Sequence, residues 1–556
     1  MTKSNTFSIH QFLKQRLSMN LTLRLGLIAS VYFIYRFVLY FLDYTKFSVG
    51  LGAVFFIMCM CNFKEKLPRK MYSLLLTVIG IMLLYHDSYL PPPSSLTVDF
   101  TGNFISDLFY YAEIFIDFIN IELIYLLILI LIVVFFVYDY LYTVTVVAAL
   151  ICYVGITQIS ARITPASTEM IASKVQSGSD SIDIPVQTGE ATSENIEKYL
   201  EVFLNKEKNR MVSMPHELPQ EFTPFNVVIV NICSMAYDDI VASKLSGHEL
   251  FKSVDYSFEN FNCVSSYSTP ATLRLLRANC GQMTEAEIYS GRNAECELLT
   301  SLEQIGYQTS IFFDHNGVYG DYLNTLRKLA GLNPPLNDPK LLSQQYTSFD
   351  GTPIYSDKSL FDSYIQAIRT THVSNNVTFM NLLSLHDGNR LVGQNHSQPY
   401  EPRLKLMLDN LSYFIKEIKK LKSNTLLIIV PEHGAAIRGD KMQIAKLREI
   451  PTDKITRIPV LVKFFKSGND EDNDADNNSV KAISGSYSYL SLAEIIKRSI
   501  ENNVFSKEKA LCTTDDIFID LPQTAFIGES TNAFYMKFLS SDFYKLKGEE
   551  WANYKK

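Results

Sequence analysis

The chain reads as two parts. An α-helical transmembrane N-terminal region of about five spans is followed by an α/β domain with a central, mostly parallel sheet flanked by helices. Three observations carry that expectation. Residues 21–160 are almost continuously apolar, far above the 47% hydrophobic content of the whole 556-residue chain. The Lys and Arg residues that interrupt this block fall in some loops and avoid others. Beyond residue 223, short runs rich in Val and Ile alternate with amphipathic stretches. The length exceeds what one ordinary domain needs. A formal net charge of −7 argues against a nucleic-acid partner, since phosphate backbones are met by basic surfaces.

The apolar block divides into Leu21–Leu42, Phe47–Phe63, Met71–Tyr85, Ile119–Val137 and Tyr142–Ile159. Each is near the ~20 residues a bilayer helix needs, the third being the shortest. Apolar segments follow one another, which is not the pattern of a cleaved signal peptide. Lys3, Lys14 and Arg16 precede the first span, and Lys64, Lys66, Arg69 and Lys70 follow the second. The loop "HDSYLPPPSSLTVDFTGNFISDLF" after the third has neither Lys nor Arg. Positive loops stay in the cytoplasm. The N-terminus is therefore expected inside and, after an odd number of spans, everything past residue 160 outside.

Residues 161–222 form the expected linker. Its first half is rich in Ser, Thr and Gly, and "ENIEKYLEVFLNKEKNR" within it has helical periodicity. The main domain is placed at 223–540 and a C-terminal tail at 541–556. Strands are expected at 225–232, 309–315, 377–385, 425–430 and 458–465. The stretches "ATLRLLRAN", "LFDSYIQAIRTT", "EPRLKLMLDNLSYFIKEIKKL" and "YLSLAEIIKRSIE" supply helices between or after them. Unbroken apolar strands separated by helices imply a parallel sheet covered on both faces. Such sheets hold ligands beyond the carboxyl ends of their strands. Those ends carry Asn231 to Ser234, Asp314 to Gly317, His386 to Gly388, and Glu432 to Gly434.

Outside the apolar block the cysteines are Cys233, Cys263, Cys280, Cys296 and Cys512. An oxidising compartment permits a disulfide, and Cys280 with Cys296, closing a modest polar loop, is the expected pair. Cys233 alone reads as a small buried hydrophobe. Beside Glu432 and His433 it becomes a ligand type suited to Zn²⁺. In "SSYSTPATLRLLRANCGQ", Pro270 suits the start of a helix, which places Ser268 or Thr269 at its cap. A capping hydroxyl is the plain reading. The sharper one is a nucleophile among free backbone N–H groups that would hold a phosphate. His386 equally fits a satisfied core histidine, and Arg448 in "KLREIP" a surface cation. The combination, not any single residue, points to chemistry.

The ordered motifs "NICS", "SYSTPATLRLLRANCGQ", "SLHDGN", "VPEHGAAIRGDKMQ", "LREIP", "IPVLVKFF" and "LPQTAFIGESTNA" resemble the BcsG-type cellulose phosphoethanolamine transferases of bacterial cellulose-secretion systems. These belong to the alkaline phosphatase superfamily. The resemblance covers about 223–535 and implies an alkaline-phosphatase-like fold. It implies one Zn²⁺ held by Cys233, Glu432 and His433, with Ser268 as nucleophile completing the shell. It further implies His386 as general acid or phosphate contact, Arg448 as a phosphate-neutralising cation, Tyr267 as pocket lining, and Cys280 with Cys296 as the disulfide. Cys233 stands where the wider phosphoethanolamine transferases carry a carboxylate, and Glu432 where they carry Asp; both agree with the cellulose branch.

The expected activity is zinc-dependent transfer of phosphoethanolamine from phosphatidylethanolamine to glucose hydroxyls, O6 foremost, of nascent cellulose through a phosphoethanolamine–serine intermediate. The implied partners are that lipid, cellulose, cellulose synthase subunits and the membrane. The implied location is the bacterial inner membrane, with the catalytic domain in the periplasm. A transferase to another envelope acceptor such as lipid A, or a metal-stabilised scaffold without turnover, would keep parts of the same pattern. A two-metal phosphatase or sulfatase needs further ligands. Asp238, Asp239, His315 and Asp440 are the only obvious extra candidates, and their spacing does not build a second site.

Overall fold

A computed structural model describes residues 25–42, 44–61, 66–88, 121–138, 142–163, 187, 189–371, 374–394, 396–467 and 479–555. Most of the expected tether at 161–193 lies outside the described residues. The chain divides into two compact units, residues 1–97 with 114–177, and residues 98–113 with 178–556.

The first unit contains helices Leu27–Phe41, Val49–Met60, Lys66–Asp87, Ile121–Val137 and Thr143–Ile163. Its core is aromatic, built on Phe33, Phe37, Phe47, Phe55 and Phe56. Arg36 is buried, pairs with Asp87 and lies 4.3 Å over the Phe47 ring. A charge taken out of water in this way needs its partner. The expectation of five transmembrane spans is corrected here. No helix among the described residues is long and apolar enough to cross a membrane. Ile121–Val137 is apolar but has 17 residues, against the ~20 that a ~30 Å hydrocarbon layer takes. Leu27–Phe41 and Val49–Met60 are shorter still, with 15 and 12. Lys66–Asp87 reaches 22 residues only by including Lys66, Arg69 and Lys70 at one end and His86 and Asp87 at the other. Thr143–Ile163 has 21 residues but ends through Gln158, Ser160 and Arg162. Apolar composition located the helices; it overstated their uninterrupted apolar length.

In the second unit the strands are β1 (Asn226–Cys233), β2 (Tyr256–Asn262), β3 (Gln308–Phe313), β4 (Gln344–Thr347), β5 (Pro353–Tyr355), β6 (Asn376–Leu382), β7 (Arg390–Leu391), β8 (Thr425–His433), β9 (Arg457–Phe465), β10 (Lys481–Ile483), β11 (Ile527–Glu529), β12 (Ala533–Phe538), β13 (Ser541–Leu546) and β14 (Ala552–Asn553). Seven of them form the main sheet in the order β10-β2-β9-β8-β1-β6-β3. Pairs β8-β1, β1-β6, β6-β3 and β10-β2 are parallel, and β9 runs antiparallel to both its neighbours. Every residue of β1 and β8 is buried, as their unbroken apolar runs require of strands covered on both faces.

One face packs against helices Ser268–Leu276, Leu298–Gln304, Tyr322–Ala330 and Tyr489–Glu501. The other packs against Asp357–Thr371 and Tyr400–Lys420. Strand β2 and the edge strand β10 escape the apolar-run reading because "YSFENFN" interleaves polar residues and "KAI" is short.

The expected linker helix is Ser193–Glu207. Thr192 caps it by accepting from the Asn195 N–H at 3.2 Å. It buries Ile196, Tyr199, Leu200 and Phe203 against Ile527, Met536, Phe538 and Trp551 of the β11-β12-β13-β14 sheet and its end. Residues 541–556, read above as a tail, therefore supply two strands of a small second core. Cys280 and Cys296 are joined in a disulfide.

Candidate metal and nucleophile site

β1 and β8 lie side by side and parallel, so their carboxyl ends meet. Residues pair one to one up to Ile232 with Pro431, and then Cys233 pairs with His433. Glu432 is the extra residue of a bulge, which suspends the strict alternation of side chains between faces. Consecutive residues Glu432 and His433 can therefore serve one centre. Pro431, which has no N–H for a ladder, is tolerated at such an irregularity. Gly434 follows because the chain turns tightly there. A Cβ on it would stand 2.7 Å from Ala236 Cβ and 3.0 Å from Asp239 Oδ2. Asp239 fixes this turn by accepting from the N–H groups of Ala236 at 2.9 Å and Ala435 at 2.8 Å.

Cys233, Glu432 and His433 are each buried, with ligand atoms all within 4.8 Å of one another. Ser268 Oγ is 3.2 Å from Cys233 Sγ and 3.2 Å from His433 Nε2. Cys233 Sγ is 3.9 Å from His433 Nε2. Ser268 is the first residue of helix Ser268–Leu276. The N-cap is Tyr267, and no side chain caps the helix. The capping role considered for Ser268 or Thr269 is therefore not what the hydroxyl does. Its backbone neighbours at the helix start keep free N–H groups.

Glu432 explains why the centre holds its shape. Its Oε1 accepts from Thr272 Oγ1 at 3.1 Å, Tyr322 Oη at 3.1 Å and Asn381 Nδ2 at 2.6 Å. Its Oε2 is buried and, among the described residues, has no hydrogen-bond partner. A carboxylate oxygen left bare in the interior is costly, unless a cation meets it. His433 Nδ1 lies 2.8 Å from the Gly434 carbonyl, which can only accept. Nδ1 therefore carries the proton and Nε2 keeps its lone pair toward Cys233 and Ser268. Burial, and then Arg448 with Nη1 at 3.4 Å, holds His433 well below the usual histidine range, so it stays neutral. Burial, with Glu432 next, pushes the Cys233 thiol up to about 12. An anionic neighbour and a reluctant thiol mark a place arranged for a positive ion. A buried thiolate, carboxylate oxygen and imidazole nitrogen form the donor set of a four-coordinate zinc site with one open position.

Behind Glu432, Asn381 also donates to Asn231 Oδ1 at 2.9 Å. His315 Nδ1 accepts from Gly317 N–H at 3.0 Å, so its Nε2 donates to Asn381 Oδ1 at 2.8 Å. Burial pulls His315 down to about 4, consistent with that neutral form. His315 is thus an orienting residue. Asp238 pairs with Arg438 at 2.6 Å, and Asp440 accepts from Tyr554 Oη at 2.9 Å. Among the described residues the extra candidates build no second metal cluster.

Tyr322, Thr272 and Asn381 were given no role in the sequence reading, and Asn231 was placed only at a strand end. The available signal was an Asn near the carboxyl end of each of two apolar strands, Asn231 in "NVVIVNIC" and Asn381 in "NVTFMNL"; Tyr322 offered none. We expect Tyr322→Phe to cost about tenfold in metal affinity, the lower end for a lost orienting partner, read by competition with a coloured chelator.

His386 sits past the end of β6. Its Nδ1 meets the Asp387 carbonyl at 2.8 Å and its ring stacks on Phe349 at 5.7 Å. Burial and then Arg448 pull it down, leaving a neutral ring with Nε2 unprotonated. That is the form of a proton acceptor; the resemblance implied a general acid or a phosphate contact. Arg403 holds the segment through the carbonyls of Ser384 at 3.0 Å and His386 at 2.8 Å.

Beneath the same segment lie two buried carboxylates. Asp314 accepts from Leu383 N–H at 2.8 Å, and Asp357 from Ser384 Oγ at 2.5 Å. Burial raises both, with Asp357 at about 6. A carboxyl raised in the folded state binds its proton more tightly folded than unfolded. The stability it lends is complete below pH ~4 and is lost as pH rises through about 6. Asp357→Asn removes that titration. We expect it to flatten the fall in melting temperature between pH 5 and pH 8, by an amount equivalent to about 1–3 kcal/mol; an identical slope in the variant would remove the pair from the pH response.

The geometry can now be set beside known proteins. Residues 181–551 match the family described as Cellulose biosynthesis protein BcsG C-terminal domain, and residues 29–156 match its N-terminal domain. The chain belongs to the BcsG family. It is 29% identical over 539 residues to the Cellulose biosynthesis protein BcsG of Salmonella typhimurium, covering 94% of this chain and 95% of the relative. It is 29% identical over 540 residues to that of Escherichia coli K12, with the same coverage. Among solved structures it is similar to a protein in the alkaline phosphatase superfamily from Vibrio parahaemolyticus. There the identity is 13% and the TM-score 0.44, covering 62% of this chain and 81% of that one. In this BcsG-family chain the sequence-selected residues Cys233, Ser268, Glu432, His433 and Arg448 converge on one centre. Tyr267 borders it with 38% exposure. His386 makes no hydrogen bond to them among the described residues.

Proposed function

We propose that this chain is a zinc-dependent phosphoethanolamine transferase acting on cellulose, and one observation carries the reading. A half-buried serine hydroxyl at a helix N-terminus stands 3.2 Å from both a cysteine sulfur and a histidine nitrogen. The ligand side of the centre is buried, whereas Ser268 and Tyr267 reach solvent. That is the layout for an activated nucleophile meeting a phosphoester from outside.

Cys233, Glu432 and His433 would hold Zn²⁺. The bound ion supplies a Lewis acid that lowers the Ser268 hydroxyl pKa and offsets phosphate charge. Ser268 Oγ attacks phosphorus of phosphatidylethanolamine. A P–O bond to Ser268 forms, the P–O bond to diacylglycerol breaks, and the released diacylglycerol oxygen gains the proton that Ser268 gives up. The free N–H groups at the start of helix Ser268–Leu276 and the Arg448 guanidinium stabilise the phosphoryl oxygens. A glucose hydroxyl of cellulose, O6 in this reading, then displaces Ser268; His386 Nε2 takes its proton, and the departing Ser268 oxygen regains a proton, which restores the hydroxyl and the neutral histidine. The cellulose acceptor rests on the relatives being cellulose biosynthesis proteins, and the neutral, unprotonated Nε2 supports His386 as the base. The disulfide supports an oxidising compartment for this unit.

The test is intact-mass spectrometry of the full-length protein incubated with phosphatidylethanolamine, with and without chelator. A phosphoethanolamine adduct on zinc-loaded protein, absent after chelation, is the expected result. Folded, zinc-loaded protein that acquires no adduct would overturn the reading.

A further inference from the structure

The proposed donor headgroup is a zwitterion, with a phosphate and an ammonium group two carbons apart. The inference below deepens the transferase reading and rests on it. A site specific for that headgroup needs an anion close to its phosphate-binding cation, and the chain supplies both in consecutive residues. Arg448 faces the centre, with Nη1 3.4 Å from His433 Nδ1, and its guanidinium lies 5.6 Å from the middle of the Tyr267 ring. Tyr267 directly precedes the nucleophile, and its hydroxyl donates to Glu449 Oε1 at 3.4 Å. Tyr267 is thus flanked by a cation that reaches the ligand cluster and by the carboxylate of the next residue.

Glu449 is held from behind. Its Oε2 accepts from Asn532 Nδ2 at 3.4 Å, and its carbonyl accepts from Ser530 Oγ at 2.7 Å. A second carboxylate is tied to the same turn, since Glu285 Oε1 accepts from Thr531 Oγ1 at 2.6 Å. The Glu285 Oε2 is buried and, among the described residues, has no hydrogen-bond partner. After burial, Glu449 is the largest influence raising the Tyr267 hydroxyl, which reaches about 12 and so remains a neutral donor. Among the described residues neither Glu449 nor Glu285 is in an ion pair with Lys or Arg. A carboxylate bonded to the hydroxyl of an aromatic ring, with a second carboxylate near enough to raise that hydroxyl and itself carrying an oxygen without a partner, forms a receptor for a small ammonium ion.

We propose that Glu449, supported by Tyr267 and Glu285, binds the ammonium of the donor headgroup, so that the Arg448–Glu449 pair selects a zwitterionic phosphoester over one with a neutral headgroup. Glu449 is a specificity-determining residue in this assignment.

The experiment is isothermal titration of zinc-loaded full-length protein with phosphoethanolamine and with glycerol phosphate, for wild type and Glu449→Gln. Wild type is expected to prefer phosphoethanolamine, and the variant to lose about 10- to 100-fold of that preference, the worth of one charge-assisted contact. Both ligands are titrated into the same preparation, so any unfolded fraction cancels in the ratio. A wild type without preference, or an unchanged ratio in Glu449→Gln, would overturn the assignment. A wild type that prefers phosphoethanolamine yet never acquires the covalent adduct would instead sink the transfer reaction and leave the ammonium site standing.

Discussion

Ser268→Ala is expected to abolish phosphoethanolamine transfer while leaving the fold and the metal in place. The hydroxyl caps nothing, because Tyr267 holds the N-cap position and the helix has no side-chain cap. Its polar neighbours are Cys233 Sγ and His433 Nε2. Removing one oxygen from a half-buried first-turn position, in favour of the best helix former, should change stability by no more than about 0.5 kcal/mol. Cys233, Glu432 and His433 remain, and three protein ligands suffice for a zinc site with an open position. Turnover should fall by about 10⁴-fold or more, the scale seen when a nucleophile is deleted from a unit that acts together. The measurement joins adduct formation by intact mass, metal content by elemental analysis, and the melting curve. An alanine variant that still acquires the adduct would move the nucleophile elsewhere. One that folds but loses its metal would make Ser268 an indispensable ligand instead.

Cys233→Ser is expected to have the second largest effect, and on a different quantity. The serine keeps the shape but supplies no thiolate. Metal affinity should fall by more than about 100-fold, beyond the range that loss of an orienting partner costs. Its pH dependence is diagnostic. The metal-free thiol is pushed up to about 12 by burial and by Glu432, so binding a metal must expel its proton. Wild-type affinity should therefore climb about tenfold per pH unit between pH 6 and 8, with one proton released. The Cys233→Ser variant should lose that slope, because His433 is already neutral over the range. Without metal the same raised thiol makes no difference to stability below pH ~9. Above it the unfolded chain ionises while the folded one does not, and stability declines as pH rises further. Chelator competition at several pH values reads both effects. A Cys233→Ser protein that holds zinc as tightly as wild type would remove Cys233 from the centre.

Five strands of the main sheet and four of the six helices that cover it were legible because each signals itself locally; Leu298–Gln304 and Tyr322–Ala330 were not read from the sequence. A run such as "NVVIVNIC" is apolar along its length, and a helix such as Tyr400–Lys420 repeats its apolar residues every three or four positions. Strands β2 and β10 were not, since β2 mixes polar residues into its run and β10 is three residues long and largely exposed. The first unit taught the opposite lesson. Its apolar residues did mark helices, but charged and polar residues fall within the helical lengths, and no described helix is long and apolar enough to cross a membrane. Composition counts residues; only the folded chain says where a helix starts and stops.

The sequence by itself determined which chemical groups this protein owns: a cysteine at one strand end, a glutamate and histidine at another, and a serine before a proline-bearing helix. Their meeting was decided by tertiary structure. Cys233 and His433 are 200 positions apart and Cys233 and Ser268 are 35 apart. They converge because β8 pairs with β1, an order set by burying both faces of a whole sheet rather than by any local preference. The same holds for the bulge that turns both Glu432 and His433 to one centre, and for Tyr322, which arrives from a helix 110 positions away to fix Glu432. Local patterns are written by neighbours in sequence. A site with one bare carboxylate oxygen and three donors on the other exists only when distant segments are forced together by the loss of water between them.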